Sequence, residues 1–110
     1  MIKPSKVKFI SEKLEKELNR LDKTDPLKKS IIRAINDLKQ NAFFGIQIQK
    51  KLFPEEFIKK YGLNNLWKYD LPNAWRLLYT ITGENEVEIV CAILDWLPHK
   101  KYERKFRYLF

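Results

Sequence analysis

Arg76, His99 and the cations around them are the side chains through which this sequence could do chemistry. A guanidinium is planar, carries several donors and stays charged at any physiological pH, so Arg76 suits a phosphate. Paired with Asp70 it would instead form a cross-strand ion pair, and periodicity alone leaves both open. His99 is the only histidine. Near an apolar helical stripe a lone histidine more often packs or caps than catalyses, although imidazole also titrates close to neutral pH and can move protons. Behind it come Lys100, Lys101, Arg104, Lys105 and Arg107, a basic segment that fits a phosphate partner. Cys91, the only cysteine, sits in the apolar run 87–94 and reads as a small buried hydrophobe rather than a nucleophile or a metal ligand. One cysteine permits neither an intramolecular disulfide nor a multi-cysteine metal site.

The charge balance points the same way. Lys and Arg number 22 against 14 for Asp and Glu, a formal +8, which suits a polyanion without saying which one. With 110 residues and 45% hydrophobic side chains, the chain is expected to form a single domain over 1–110 with a core of its own. No apolar run approaches a membrane span and no signal-peptide pattern follows Met1, so a cytoplasmic protein without a membrane partner is expected.

The elements that must position these residues follow from period and punctuation. Residues 6–10 alternate and read as a first strand at a sheet edge. Ser11 caps a helix that has Glu12 and Glu15 in its first turn and Leu14, Leu18 and Leu21 on one stripe, with an end near 22–24. Asp25-Pro26 starts a second helix with Leu27, Ile31, Ala34, Ile35 and Leu38 on its stripe, and its lysines and arginine are a solvated face. Residues 43–65 lose the pattern around Gly45, Pro54 and Gly62, with basic pairs Lys50-Lys51 and Lys59-Lys60. A short helix over 54–61, stopped by Gly62, is expected there; the rest reads as a long, partly ordered connection, either functional or a plain surface loop. Strands at 66–71, 75–82 and 86–94 form a meander, and Pro98 begins a last helix over 98–109 with Tyr102, Phe106 and Leu109 on one stripe. The expected class is α+β: an N-terminal strand, an antiparallel helical hairpin packed on an antiparallel β-meander, and a short C-terminal helix.

Loop length fixes which residues face each other across the first hairpin. A three-residue loop over 72–74 pairs Asp70 with Arg76, Tyr69 with Leu77, Lys68 with Leu78 and Trp67 with Tyr79. One face then carries Trp67, Tyr69, Leu71, Trp75, Leu77, Tyr79 and Ile81, a core for the helical hairpin more readily than a base-stacking platform. The other carries Lys68, Asp70, Arg76 and Leu78, flanked by Thr80 and Thr82, and is the candidate site. A two-residue loop would set Lys68 and Asp70 among the aromatic residues, at a desolvation cost that argues against it.

Asn65-Leu66-Trp67-Lys68-Tyr69-Asp70-Leu71 followed by Ala74-Trp75-Arg76-Leu77-Leu78-Tyr79 resembles the central hairpin of the RelE/ParE superfamily of bacterial and archaeal toxins. Ile93-Leu94-Asp95-Trp96 and the segment from His99 to Phe106 resemble the last strand and closing segment of RelE-like members, and the element order extends the resemblance over nearly the whole chain. The resemblance implies the toxin of a type II toxin-antitoxin pair: a metal-independent endoribonuclease, without cofactor, that enters the ribosomal A site and cuts messenger RNA there. It implies Arg76 as stabiliser of the transition-state charge, Lys68 as holder of the substrate phosphate and His99 as general acid or base. Tyr102 would stack on or orient the base under attack, or pack in the core.

Asp70 departs from the pattern, since some members carry a basic residue there; it would be the general base or would neutralise Arg76. Lys50, Lys51, Lys100, Lys101 and Arg104 are the remaining candidates for message or ribosomal RNA phosphates. The expected protein partner is a cognate antitoxin. Two alternatives stand beside the nuclease: a ParE-like toxin that inhibits a protein such as gyrase, and a non-catalytic RNA-binding member of the same fold.

Overall fold

Alternation in the first residues becomes strand β1, Lys6–Phe9, with Val7 and Phe9 turned inward and Lys6 and Lys8 outward, in a computed structural model that describes residues 2–83 and 89–106. Ser11 Oγ then accepts from the Leu14 N–H at 3.2 Å and opens α1, Glu12–Arg20, which buries Leu14 and Leu18. Its end comes before the expected 22–24, because Asp22 Oδ1 takes the Thr24 N–H at 3.0 Å and folds those residues into a turn. Asp25 Oδ1 accepts from the Leu27 N–H at 2.8 Å and Pro26 occupies the first helical position of α2, Pro26–Gln40. Ile31, Ala34 and Leu38 of α2 are fully buried.

The remaining strands are β2, Ile46–Gln47; β3, Trp67–Asp70; β4, Arg76–Thr82; and β5, Val90–Leu97. Five strands form one mixed sheet in the order β1-β5-β4-β3-β2, with β1 parallel to β5 at one edge and the other pairs antiparallel. Among the described residues the molecule is therefore a small α+β domain with four helices on a five-stranded mixed sheet. The hairpin register is the one the three-residue loop dictates: Asp70 opposite Arg76, Lys68 opposite Leu78 and Trp67 opposite Tyr79. Asn73 and Ala74 of that loop take left-handed backbone, which Asn tolerates and which costs Ala about 1 kcal/mol.

Three expectations need correction. The strand expected over 86–94 continues to Leu97, because β4 offers Asp95, Trp96 and Leu97 backbone partners at Leu78, Leu77 and Arg76. Leu94 is the extra residue of a bulge between the Leu78 and Tyr79 pairings, an irregularity that hides the strand's period. The connection over 43–65 is more ordered than expected: it supplies β2, a 3₁₀ turn at Lys50–Leu52, and α3, Glu55–Tyr61, ended by Gly62 at φ +60° as its glycine suggested. A two-residue strand shows no period, which is why β2 left no signal. The hydrophilic face of the hairpin is also not open along its length. α3 and the last helix α4, His99–Phe106, cover it with a second core of Ile48, Phe57, Leu66, Leu78, Leu94, Leu97, Tyr102 and Phe106. On the opposite face α1 and α2 pack on Leu77, Tyr79, Ile81, Cys91, Ile93 and Trp96, as the aromatic face led one to expect. The turn residues Glu84 and Asn85, the strand start at 86–88, Arg107 and Leu109 lie outside the described residues. Among the described residues no helix is long and apolar enough to cross a membrane.

One side chain extends the sheet. Asn65 Oδ1 accepts from the Ile81 N–H and its Nδ2 donates to the Ile81 carbonyl, both at 2.8 Å, while buried Thr80 donates its hydroxyl to the Asn65 carbonyl at 2.9 Å. The amide thus acts as one more ladder residue beside β4. Asn65→Ala is expected to cost about 1–3 kcal/mol, since it strands buried backbone groups, and urea unfolding with an unchanged midpoint would refute this.

Candidate functional site

The open end of the hairpin gathers the charges. Asp70 Oδ1 lies 3.0 Å from Arg76 Nε and 3.4 Å from Lys68 Nζ, so one carboxylate oxygen stands between two cations. The Arg76 contact is Coulombic rather than an aligned hydrogen bond, because its buried Nε–H finds no well-directed acceptor. Arg76 Nη1 reaches the Trp75 carbonyl at 3.4 Å, and Nη2 makes no hydrogen bond among the described residues. The Arg76 and Lys68 side chains are 18% and 23% exposed against 49% for Asp70, so the carboxylate is the more solvated member and the easier to move.

Helix α4 closes over this cluster. Tyr102 is buried, with the Arg76 Cζ 5.4 Å and the Lys68 Nζ 5.9 Å from its ring centroid and the Phe106 ring at 4.5 Å. Both cations thus rest against an aromatic surface that favours their charge and restricts their swing. With Phe106 and the cations against it, the Tyr102 ring is packed in the second core. His99 stands at the start of α4, two residues after Leu97, which pairs with Arg76, and one helical turn before Tyr102. Its Nε2 meets Glu103 Oε1 at 2.8 Å with both side chains half-exposed, which restrains the ring. Glu103 was not singled out from the sequence, although its i,i+4 spacing to His99 on a helix was the available signal.

The fold therefore brings together Lys68, Asp70, Arg76 and Tyr102, and sets His99 on the same helix as Tyr102. It does not add the other candidates to this cluster. Lys100 and Lys101 are exposed on α4; Lys50 and Lys51 sit on the 3₁₀ turn; Lys51 and Arg104 line a separate groove of about 590 Å³ between that turn, α3 and α4. Asp95, opposite Leu78 in the second-core half of the sheet, is a further titratable group whose carboxyl burial pushes up, against the lowering effect of a hydrogen bond from the Trp96 N–H. Cys91 is fully buried 3.3 Å from Ser5 Oγ, and burial pushes its thiol up, so it is inert packing as its neighbours suggested. Tyr69 is pushed up to about 12 by burial and by its 2.5 Å hydrogen bond to Asp37, a tie between sheet and α2 away from the site.

Among the described residues no group of three or more His, Cys, Asp and Glu side chains is placed to hold a metal ion. Fold and site together define a small basic α+β domain with Lys68, Arg76 and Asp70 clustered beneath Tyr102 at one end of its sheet. No family model, curated protein or solved structure matches this chain.

Proposed function

We propose that this chain is a RelE-like toxin, a ribosome-dependent endonuclease of messenger RNA that needs no metal. The observation that carries the reading is the pair of cations, Arg76 and Lys68, held under Tyr102 at the end of the sheet from which His99 follows. In such a reaction the 2′-hydroxyl beside the scissile bond attacks phosphorus, a base takes its proton, and an acid returns a proton to the departing 5′-oxygen. The products are a 2′,3′-cyclic phosphate and a 5′-hydroxyl, and the nucleophile comes from the substrate. Arg76 offers Nη2 to the equatorial oxygens as their charge grows, Lys68 holds the phosphate, and His99, oriented by Glu103, moves the proton. Tyr102 positions both cations. A cognate antitoxin is the partner this reading requires.

The test is to make the chain alone in cells and map message ends on translating ribosomes. New position-specific ends that vanish with His99→Gln are expected; wild-type protein that arrests supercoiling and leaves messages intact would transfer the reading to a ParE-like toxin.

A non-catalytic RNA-binding role is favoured by one observation: Asp70 already occupies the space between both cations. Asp70→Asn separates the cases. Freed of an ion pair of about 1 kcal/mol to a half-exposed carboxylate, the cluster is expected to bind a non-cleavable oligoribonucleotide roughly fivefold more tightly at low salt. Message cutting should hold or rise if Asp70 is a neutralising neighbour, and should collapse despite tighter binding if it is the general base.

A further inference from the structure

The 3₁₀ turn at Lys50–Leu52 stands between two concavities that the catalytic cluster does not use. On one side is the groove of about 590 Å³ with Lys51 and Arg104 in its wall; on the other is a cleft of about 380 Å³ lined by Gln47, Gln49, Lys50 and Asn64. Phe53 lines both, so the two adjoin at one aromatic residue. Each lies within the size range of ligand clefts, about 300–1,000 Å³.

The chemistry changes along this track. In the larger groove Glu55 is paired with Lys59 at 3.6 Å and Glu56 with Lys105, so four cations meet two carboxylates and Lys51 and Arg104 are the surplus. In the cleft the exposed Gln47 and Gln49 amides make no hydrogen bond among the described residues, and Asn64 gives only its Oδ1, to the Asn65 amide at 2.7 Å. Asn65 itself is committed to Ile81 and Thr80. A primary amide presents a donor and an acceptor side by side, the pattern that matches the edge of a nucleobase. Single-stranded RNA exposes those edges, stacks its bases on aromatic rings and carries a phosphate for each cation to neutralise. An acidic peptide would also use the cations and could pair its backbone with the amides, so the commitment to RNA comes from the reading above.

We infer that the track from Arg104 across Phe53 to Gln47 is a second binding site, for a single-stranded RNA segment whose phosphates meet Lys50, Lys51 and Arg104 and whose bases are read by Gln49 and Asn64. The inference deepens the RNA reading above and rests on it for the identity of the polymer. It supplies a role for the connection over 43–65 that the cleavage chemistry leaves idle.

The experiment titrates the full chain with a fluorescent, fully 2′-O-methylated oligoribonucleotide, which cannot be cut, and follows anisotropy against salt. Replacing Lys50, Lys51 and Arg104 by alanine together is expected to weaken binding at least tenfold at low salt and to flatten the log–log salt slope by about 2, near 0.7 for each lost phosphate contact. Gln49→Ala with Asn64→Ala is expected to keep the slope and to level the preference among oligomers of different base composition. All five side chains are exposed, and an unchanged circular dichroism spectrum and melting midpoint show that the fold persists. An unchanged slope in the triple variant, or a glutamate decapeptide bound as tightly as the oligomer and weakened equally, overturns the inference. Loss of these slope effects beside intact message cutting removes this site alone; intact slope effects beside absent cutting remove the nuclease alone.

Discussion

Replacing Arg76 by alanine is expected to lower message cleavage on translating ribosomes by about 100- to 1,000-fold, the cost of removing one preorganised stabiliser of a developing oxyanion. The size of the effect follows from the setting. The guanidinium is largely shielded, Tyr102 backs it at 5.4 Å, and Nη2 is left for an incoming oxygen. A charge held in place before the reaction needs no reorganisation as the phosphorane forms. Some stability should be lost as well, about 1–2 kcal/mol, because the shielded side chain packs against Tyr102 even though its pair with half-exposed Asp70 contributes only about 0–1 kcal/mol. Arg76→Lys keeps the charge but not the planar pair of donors, so partial activity is expected. The measurement is the yield of new message ends per ribosome beside the thermal midpoint of the same protein. Ends at wild-type yield from the alanine variant would remove Arg76 from the mechanism, and with it the reason for placing a nuclease site at this end of the sheet.

Gly45→Ala should produce a large loss of stability for the addition of a single methyl group. A Cβ at that position would sit 2.4 Å from the Lys68 carbonyl oxygen and 2.7 Å from the Tyr79 hydroxyl, and the first of these is backbone that cannot swing aside. Gly45 also donates its N–H to Tyr79 Oη at 3.0 Å, while that hydroxyl donates to the Ala42 carbonyl at 2.9 Å. Tyr79 is fully buried, and burial pushes its phenol well above the ordinary range, so the pair of hydrogen bonds has no water to replace it. Overpacking of about 1–3 kcal/mol plus about 1 kcal/mol for the lost hydrogen bond is expected, read from urea unfolding. Because the clash pushes on the Lys68 carbonyl, β2 should separate from β3 and Ile46 should leave its place opposite Lys68. Tyr79→Phe, which removes the hydroxyl without adding bulk, should cost about 1–3 kcal/mol and leaves the backbone contact intact. A Gly45→Ala protein as stable as wild type would show that this close approach does not hold β2.

Much of the site's geometry was legible because it is local. A three-residue loop and an alternating pattern determine which residues of a hairpin face each other, so the Asp70–Arg76 pairing and the division into an aromatic and a charged face could be read from residues 66–82. The helix starts were equally local, since Ser11 and Asp25 satisfy amides two or three residues away. The second ion pair of Asp70, to Lys68, was not read, because two residues apart on one strand they share a face but only side-chain rotamers bring them to 3.4 Å. Nor was the cover on that face: Leu78, Leu94 and Leu97 are buried by α3 and α4, which lie far from them in sequence or carry mostly charged residues.

By itself the sequence determined the caps, the hairpin register and the set of cations, since backbone hydrogen bonding and side-chain alternation act over a few residues. Tertiary structure alone decided that α4 lays Tyr102 across Arg76 and Lys68, that β2 pairs with β3, and that Arg104 and Lys51 share one groove. These contacts join segments up to about half the chain apart, and burial, unlike period, is a property of the whole packed chain rather than of any stretch of it.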